Sequence, residues 1–177
     1  MDFSKLKTSD WVIAGSGLVL LVASFLDWFT VSVEDDSGLG IGGEVGGGSG
    51  WDVGFFWAGI PVLLGLAMIA VVAIRAFSPD TKLPDLPIGW GQTLFIAGVV
   101  AAAIVVLKLL IGEDADGAEA FGFEINRAFG LFLATLAAIG LAVGGFLKWQ
   151  EDKSDASLGA GPVGGTPPPP PPGGSSF

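Results

Sequence analysis

Four apolar blocks of about 20 residues each, the length that crosses a ~30 Å hydrocarbon layer as a helix, constrain this chain more than anything else in it. Residues 11–31 read WVIAGSGLVLLVASFLDWFTV and carry one charge, Asp27. Residues 53–74 read VGFFWAGIPVLLGLAMIAVVAI and are closed by Arg75. Residues 88–111 hold Gln92 near their start and Lys108 near their end. Residues 128–147, AFGLFLATLAAIGLAVGGFL, are uncharged and closed by Lys148. Lipid offers no partner for backbone N–H and C=O groups, so such blocks must satisfy them internally, as helices do. Buried helices of water-soluble domains are shorter and keep a polar face, which these blocks lack. Charged residues make up only 15% of the 177-residue chain, against roughly 25% in an ordinary soluble domain. The expected fold is an all-α membrane protein: a four-transmembrane-helix bundle over residues 1–153, with a disordered Gly/Pro-rich tail over 154–177.

Lysine and arginine placement orients the bundle. With the N-terminus inside, the cytoplasmic segments hold Lys5, Lys7, Arg75, Lys82, Lys148 and Lys153. The outer loops hold Arg127, with Lys108 at the outer end of the third span. This is the positive-inside pattern, so both termini are expected in the cytoplasm. Trp11, Trp90 and Trp149 fall at the inner edges of spans and Trp28 and Trp51 at outer edges, as an interfacial aromatic belt requires. The first span is longer than the apolar core of a secretory signal and lacks a clear small-x-small cleavage site, so it reads as an uncleaved signal anchor.

The net charge of −10 is concentrated outside. Loop 32–52 carries Glu34, Asp35, Asp36, Glu44 and Asp52, and loop 112–127 carries Glu113, Asp114, Asp116, Glu119 and Glu124 against Arg127. Two readings stand: a cation-attracting rim with carboxylate ligands for Ca²⁺, or solvated loops from which positive residues are excluded. Asp114-Ala115-Asp116-Gly117 is faintly like a calcium loop but lacks the later Glu of an EF-hand. The glycine-rich stretch 37–50 should stay flexible, and with no Lys after it and acids around it, it is no phosphate loop. Phe121 and Phe123 flank Gly122, which suits either a dip toward lipid or packing on the helix ends. Inside, Pro79, Pro84 and Pro87 make the 75–87 connector stiff and non-helical. The tail carries Pro167, Pro168, Pro169, Pro170, Pro171 and Pro172, a polyproline II rod of about 19 Å. That rod is either a docking element for an aromatic-lined groove or part of a tail with no partner.

Asp27 lies roughly 9 Å outward of the middle of the first span, and Lys108 roughly 13 Å outward of the middle of the third, at a 1.5 Å rise per residue. An intramembrane pair between Asp27 and Lys108 is geometrically open, with Arg127 as a second partner. The alternative places both at the interface, Lys108 snorkelling into headgroups and Asp27 beside Trp28. At the midplane the only polar side chain is Thr135, and Pro61 is a kink candidate in the second span. In the fourth span Gly130, Ala134, Ala138 and Ala142 recur every four positions, and Gly140 with Gly144 forms a GxxxG; Ala97/Ala101 and Gly98/Ala102 repeat that spacing in the third. Such stripes let helix backbones approach, within this bundle or against a partner's helix.

The string SDWVIAGSGLVLLVASFLDWF, Ser9 to Phe29, opens with Asp-Trp and closes with Asp-Trp-Phe. It resembles the first helix of small uncharacterised membrane proteins of actinobacteria, which have four spans, Gly-rich or acidic outer loops and a Pro/Gly-rich cytoplasmic tail. The resemblance implies a bacterial plasma membrane and brings no activity or catalytic residue with it. The chain has no His, Cys or Tyr, which removes disulfides, thiolate and imidazole ligands and the commonest general base. No catalytic residue, metal site or cofactor is expected. The expected function is a non-enzymatic accessory or scaffold protein acting through helix packing and the proline tail. Its expected partners are membrane lipid and another membrane or cytoplasmic protein, not nucleic acid. The competing class is a transporter or channel subunit using Asp27 and the acidic outer loops.

Overall fold

The structure is a computed structural model in which residues 6–33, 42–78, 81, 84, 86–112 and 123–159 are described. The elements in chain order are α1 (Thr8–Ala23), β1 (Asp27–Val33), β2 (Gly43–Ser49), α2 (Gly50–Val53), α3 (Gly59–Phe77), α4 (Trp90–Ile111), β3 (Phe123–Arg127) and α5 (Phe129–Gly159). The molecule is mostly helical, and three helices are long and apolar enough to cross a membrane: α3, α4 and α5, whose 18-residue apolar stretches have mean hydropathies of 2.4, 2.8 and 2.1. α1 is also apolar but has 16 residues, about 24 Å at the helical rise. α5 packs along α4 and α1, and α3 packs on α1 and α4, so the four long helices close into a bundle.

The all-α expectation needs correction at one end. The first apolar block is not one span: its helix stops at Ala23, and Asp27–Val33 is the central strand of a three-stranded antiparallel sheet ordered β2-β1-β3. Residues DWFTVSV are aromatic and β-branched, types that suit a pleated strand; a hydropathy sum does not distinguish them from helical leucines. The turn is fixed locally. Ser24 Oγ donates to the Leu21 carbonyl at 2.7 Å, and the buried Trp28 indole donates back to the Ala23 carbonyl at 2.9 Å. The second block also begins late, because Val53 ends α2 and residues 54–58 form a turn through Gly54 (φ 123°) before α3 starts. Residues 43–49 of the glycine-rich stretch are a strand rather than a flexible linker, paired with β1 at Thr30–Gly47 and Val31–Gly46. At the other end α5 continues to Gly159, so the expected boundary between residues 153 and 154 falls inside a helix. Prolines 167–172, the run at 114–117, Phe121 and the acids Glu34, Asp35, Asp36, Glu113 and Glu119 lie outside the described residues.

The bundle is built inside out relative to a soluble protein. Glycine and alanine contribute much of its interior, while Leu18, Val22, Leu63, Val100, Leu107, Leu110, Phe132, Leu136 and Val143 face outward. A monomer in water does not expose so large a continuous apolar surface, whereas lipid accepts it without penalty. Association must then come from close backbone approach. A Cβ at Gly98 of α4 would lie 2.6 Å from the Leu141 carbonyl oxygen and 2.8 Å from Ala142 Cα, both on α5. One at Gly144 would lie 2.7 Å from Ile13 on α1. The Gly98→Leu variant should therefore lose about 1–3 kcal/mol of stability or fail to assemble. Gly15→Leu, where an added Cβ meets nothing within 4 Å, should stay within about 0.5 kcal/mol. Thermal unfolding of both variants in mild detergent checks this.

Candidate functional site

Among the described residues, charged side chains are confined to the two ends of the bundle. At one end the first turn of α1 meets the extension of α5. Asp10 and Lys148 form an ion pair at 2.7 Å whose side chains are 7% and 10% exposed. Asp10 Oδ2 also accepts the Lys7 backbone N–H at 3.0 Å, so both its oxygens are engaged. One turn further along α5, Glu151 accepts the hydroxyl of the fully buried Ser9 at 2.7 Å and lies 3.7 Å from Lys148. One turn beyond, Asp155 pairs with Lys7 at 2.8 Å and holds that exposed ammonium's pKa above its usual value. Positions 148, 151, 152 and 155 of α5 lie on one helical face, which lets a single helix make all these contacts.

The same face reaches α3 and α4. Asp152 accepts the Gly91 backbone N–H at 2.9 Å, so a carboxylate from α5 caps the positive N-terminus of α4. Arg75 of α3 lies 3.8 Å from Asp152 and over the Trp90 ring. Phe95 stacks on Trp149 with centroids 5.5 Å apart, and Lys153 lies over Trp149 at 3.8 Å. Every long helix is thus tied into one polar knot.

At the sheet end the three charges proposed as an intramembrane group are placed separately. Asp27 is exposed at the start of β1, paired with Ser49 on β2 and with its carboxylate beside Gly47, rather than within a helix. Lys108 is buried, with its ammonium 5.3 Å from the ring centroids of both Phe29 and Trp57. The electron-rich ring faces favour that position for the cation. Arg127 is exposed and donates to the carbonyls of Leu109 and Leu110 at 2.8 and 3.3 Å, neutralising the negative C-terminus of α4. Among the described residues no ion pair joins Asp27 to Lys108 or Arg127. Ser49 donates through both its amide and its hydroxyl to the Asp52 carboxylate, and this holds the Asp52 pKa below the usual carboxylate value.

The small-residue positions are distributed over several neighbours. Gly130, Ala134 and Ala138 are buried, Gly130 against Leu26 and the Asp27 carbonyl; Gly140 meets Ser16 and Gly144 meets Ile13, while Ala142 is half-buried beside Gly98. Thr135 bonds its own helix at Leu131, and Pro61 is buried in the first turn of α3, where it fits without breaking the helix. Asp10, Ser9, Glu151, Asp152 and Asp155 were not singled out from sequence. The signal lay in Asp10-Trp11 and Lys148-Trp149, two charge–tryptophan pairs placed at the same bilayer edge. Among the described residues no group of three or more His, Cys, Asp or Glu could hold a metal ion.

The chain matches no family model, no curated protein and no solved structure.

The Asp10–Lys148 pair yields a stability test. Lys148→Met leaves a nearly buried carboxylate without its cation and should cost about 3–5 kcal/mol. Replacing both groups, as in Asp10→Leu/Lys148→Met, should recover at least half of that loss. Chemical unfolding of the single and double variants in detergent measures the coupling.

Proposed function

We propose that the chain is a non-enzymatic integral membrane accessory protein: a four-helix unit of a bacterial plasma membrane, with both termini and the polar knot cytoplasmic and the sheet outside. The observation that carries the reading is the division of the bundle into two polar ends and an apolar middle. Gly130 meets the Leu26–Asp27 turn at one end and Lys148 meets Asp10 at the other, about 27 Å apart along α5 at 1.5 Å per residue. That distance is close to the hydrocarbon thickness and lets α1 cross together with α3, α4 and α5. Between these levels the interior is filled by Ile13, Leu20, Met68, Leu131 and Leu141, all fully buried, and by the close glycine contacts. A solute path through one chain would need a run of polar groups there, whereas the hydroxyls near the midplane are those of Ser16, against Gly140, and Thr135, bonded to its own helix.

Orientation rests on Lys7, Arg75, Lys148 and Lys153 at the knot end. The chain contains no cysteine, so single cysteines report cleanly. In intact cells Val45→Cys on the sheet should react with a membrane-impermeant maleimide, and Ser157→Cys on α5 should react only after lysis. The opposite pattern would reverse the topology.

The accessory role predicts a stoichiometric partner. The test is capture from native membranes with the full chain and with a chain ending at Gly159, which keeps the Lys7–Asp155 pair and removes the prolines. Loss of the partner with the shorter chain assigns docking to the tail, and persistence assigns it to the helices. Absence of any stoichiometric partner, together with an ion flux in proteoliposomes that Asp27→Asn abolishes, would replace the accessory reading with the transport one.

A further inference from the structure

We infer that the knot end binds one anionic phospholipid, its headgroup phosphate held by Lys7, Arg75 and Lys148 and an acyl chain lying between α1 and α3. This rests on the membrane reading above. Two cavities meet at this place. One, of about 110 Å³, is lined by Lys7, Asp10, Val72, Arg75, Ala76 and Lys148. The other, of about 200 Å³, is an apolar groove between α1 and α3 that includes Leu6, Trp11, Ala14, Ile69 and Ala73. They share Asp10 and Val72, so the polar cleft and the groove lie side by side.

The cleft's hydrogen-bond donors suit a phosphate. Its lining has three cations and one carboxylate, and that carboxylate is already saturated by Lys148 and the Lys7 amide. The Arg75 guanidinium is 3.8 Å from Asp152, beyond hydrogen-bond reach, so its planar fork is not engaged by that carboxylate. Lys7 has three ammonium donors, of which the bond to Asp155 uses one. With Asp10, the α5 carboxylates Glu151, Asp152 and Asp155 fully offset the charge of the three cations. Selectivity must therefore come from hydrogen bonds donated in the cleft rather than from a general basic field, and a basic pocket between helices on the cytoplasmic side is where anionic headgroups bind. The groove supplies the second half of recognition. Trp11 is 58% exposed at its rim, at the depth where an indole meets the glycerol region. A free phosphate would fill the cleft and leave the groove empty.

The test uses the full chain in lipid nanodiscs and in detergent, with dioleoyl phosphatidylglycerol, dioleoyl phosphatidylcholine and inorganic phosphate as probes. One phosphatidylglycerol per chain should survive in native mass spectra and raise the melting temperature, while phosphatidylcholine and inorganic phosphate should do neither. Arg75→Gln should weaken phosphatidylglycerol retention about tenfold. Ala73→Phe, which fills the groove and leaves the cations in place, should weaken it similarly. Equal retention of both lipids, an equal effect of inorganic phosphate, or wild-type retention by folded Arg75→Gln would each overturn the inference. Failure to insert into nanodiscs at all would instead overturn the membrane reading.

Discussion

The ion pair between Asp10 and Lys148 fixes how the first helix lies against the last, and the rest of the bundle follows from that register. With those two groups joined at 2.7 Å, Ile13 falls against Gly144 and Ser16 against Gly140, and the turn after α1 arrives at Gly130. Lipid provides no water to solvate a lone charge and little hydrophobic force to press helices together, so pairing at the ends and close packing in the middle must do both jobs. The pair is nearly buried, and its partners differ in kind: a carboxylate opening one helix and an ammonium leaving another. A slip of one residue would separate them and would take Ile13 off Gly144.

The two ends treat charge in different ways. At the knot, carboxylates spaced along one face of α5 reach the other three long helices, and one of them caps α4. At the sheet, cations do the capping: Arg127 on the last carbonyls of α4, and Lys108 between two aromatic rings. α4 therefore carries a negative group at its positive end and a positive group at its negative end, each supplied from elsewhere in the chain. A 22-residue helix that is almost wholly apolar has few side chains of its own with which to do this.

Much of the helical part was legible in the sequence, because hydropathy over twenty residues reads directly as helix in lipid. The third block begins within two residues of α4 and ends with it. The first block misled because its sum is high throughout while its residue types change after Ala23, from small and leucine-rich to aromatic and β-branched. The sheet needs partners from beyond the third helix: Thr30 pairs with Asn126 as well as with Gly47, and no local pattern announces that. Asp27 is an isolated charge in an apolar block, and in the fold it marks where the strand begins. The knot was invisible for a simpler reason. Its central partners are 138 residues apart, and a charge beside a tryptophan reads only as an interfacial anchor until the fold brings two of them together.

The central claim is that α1 crosses the membrane with the other three long helices, with sheet and knot on opposite faces. Nitroxide labels at Leu18, Leu136, Val45 and Ser157, introduced one at a time into the otherwise cysteine-free chain in nanodiscs, measure depth by comparing collisions with oxygen and with a water-soluble nickel complex. The account predicts oxygen-dominated relaxation at Leu18 and Leu136, and nickel-dominated relaxation at Val45 and Ser157. Nickel access at Leu18 equal to that at Val45 would contradict it, because α1 would then lie outside the bilayer and the apolar middle would be a bundle of three.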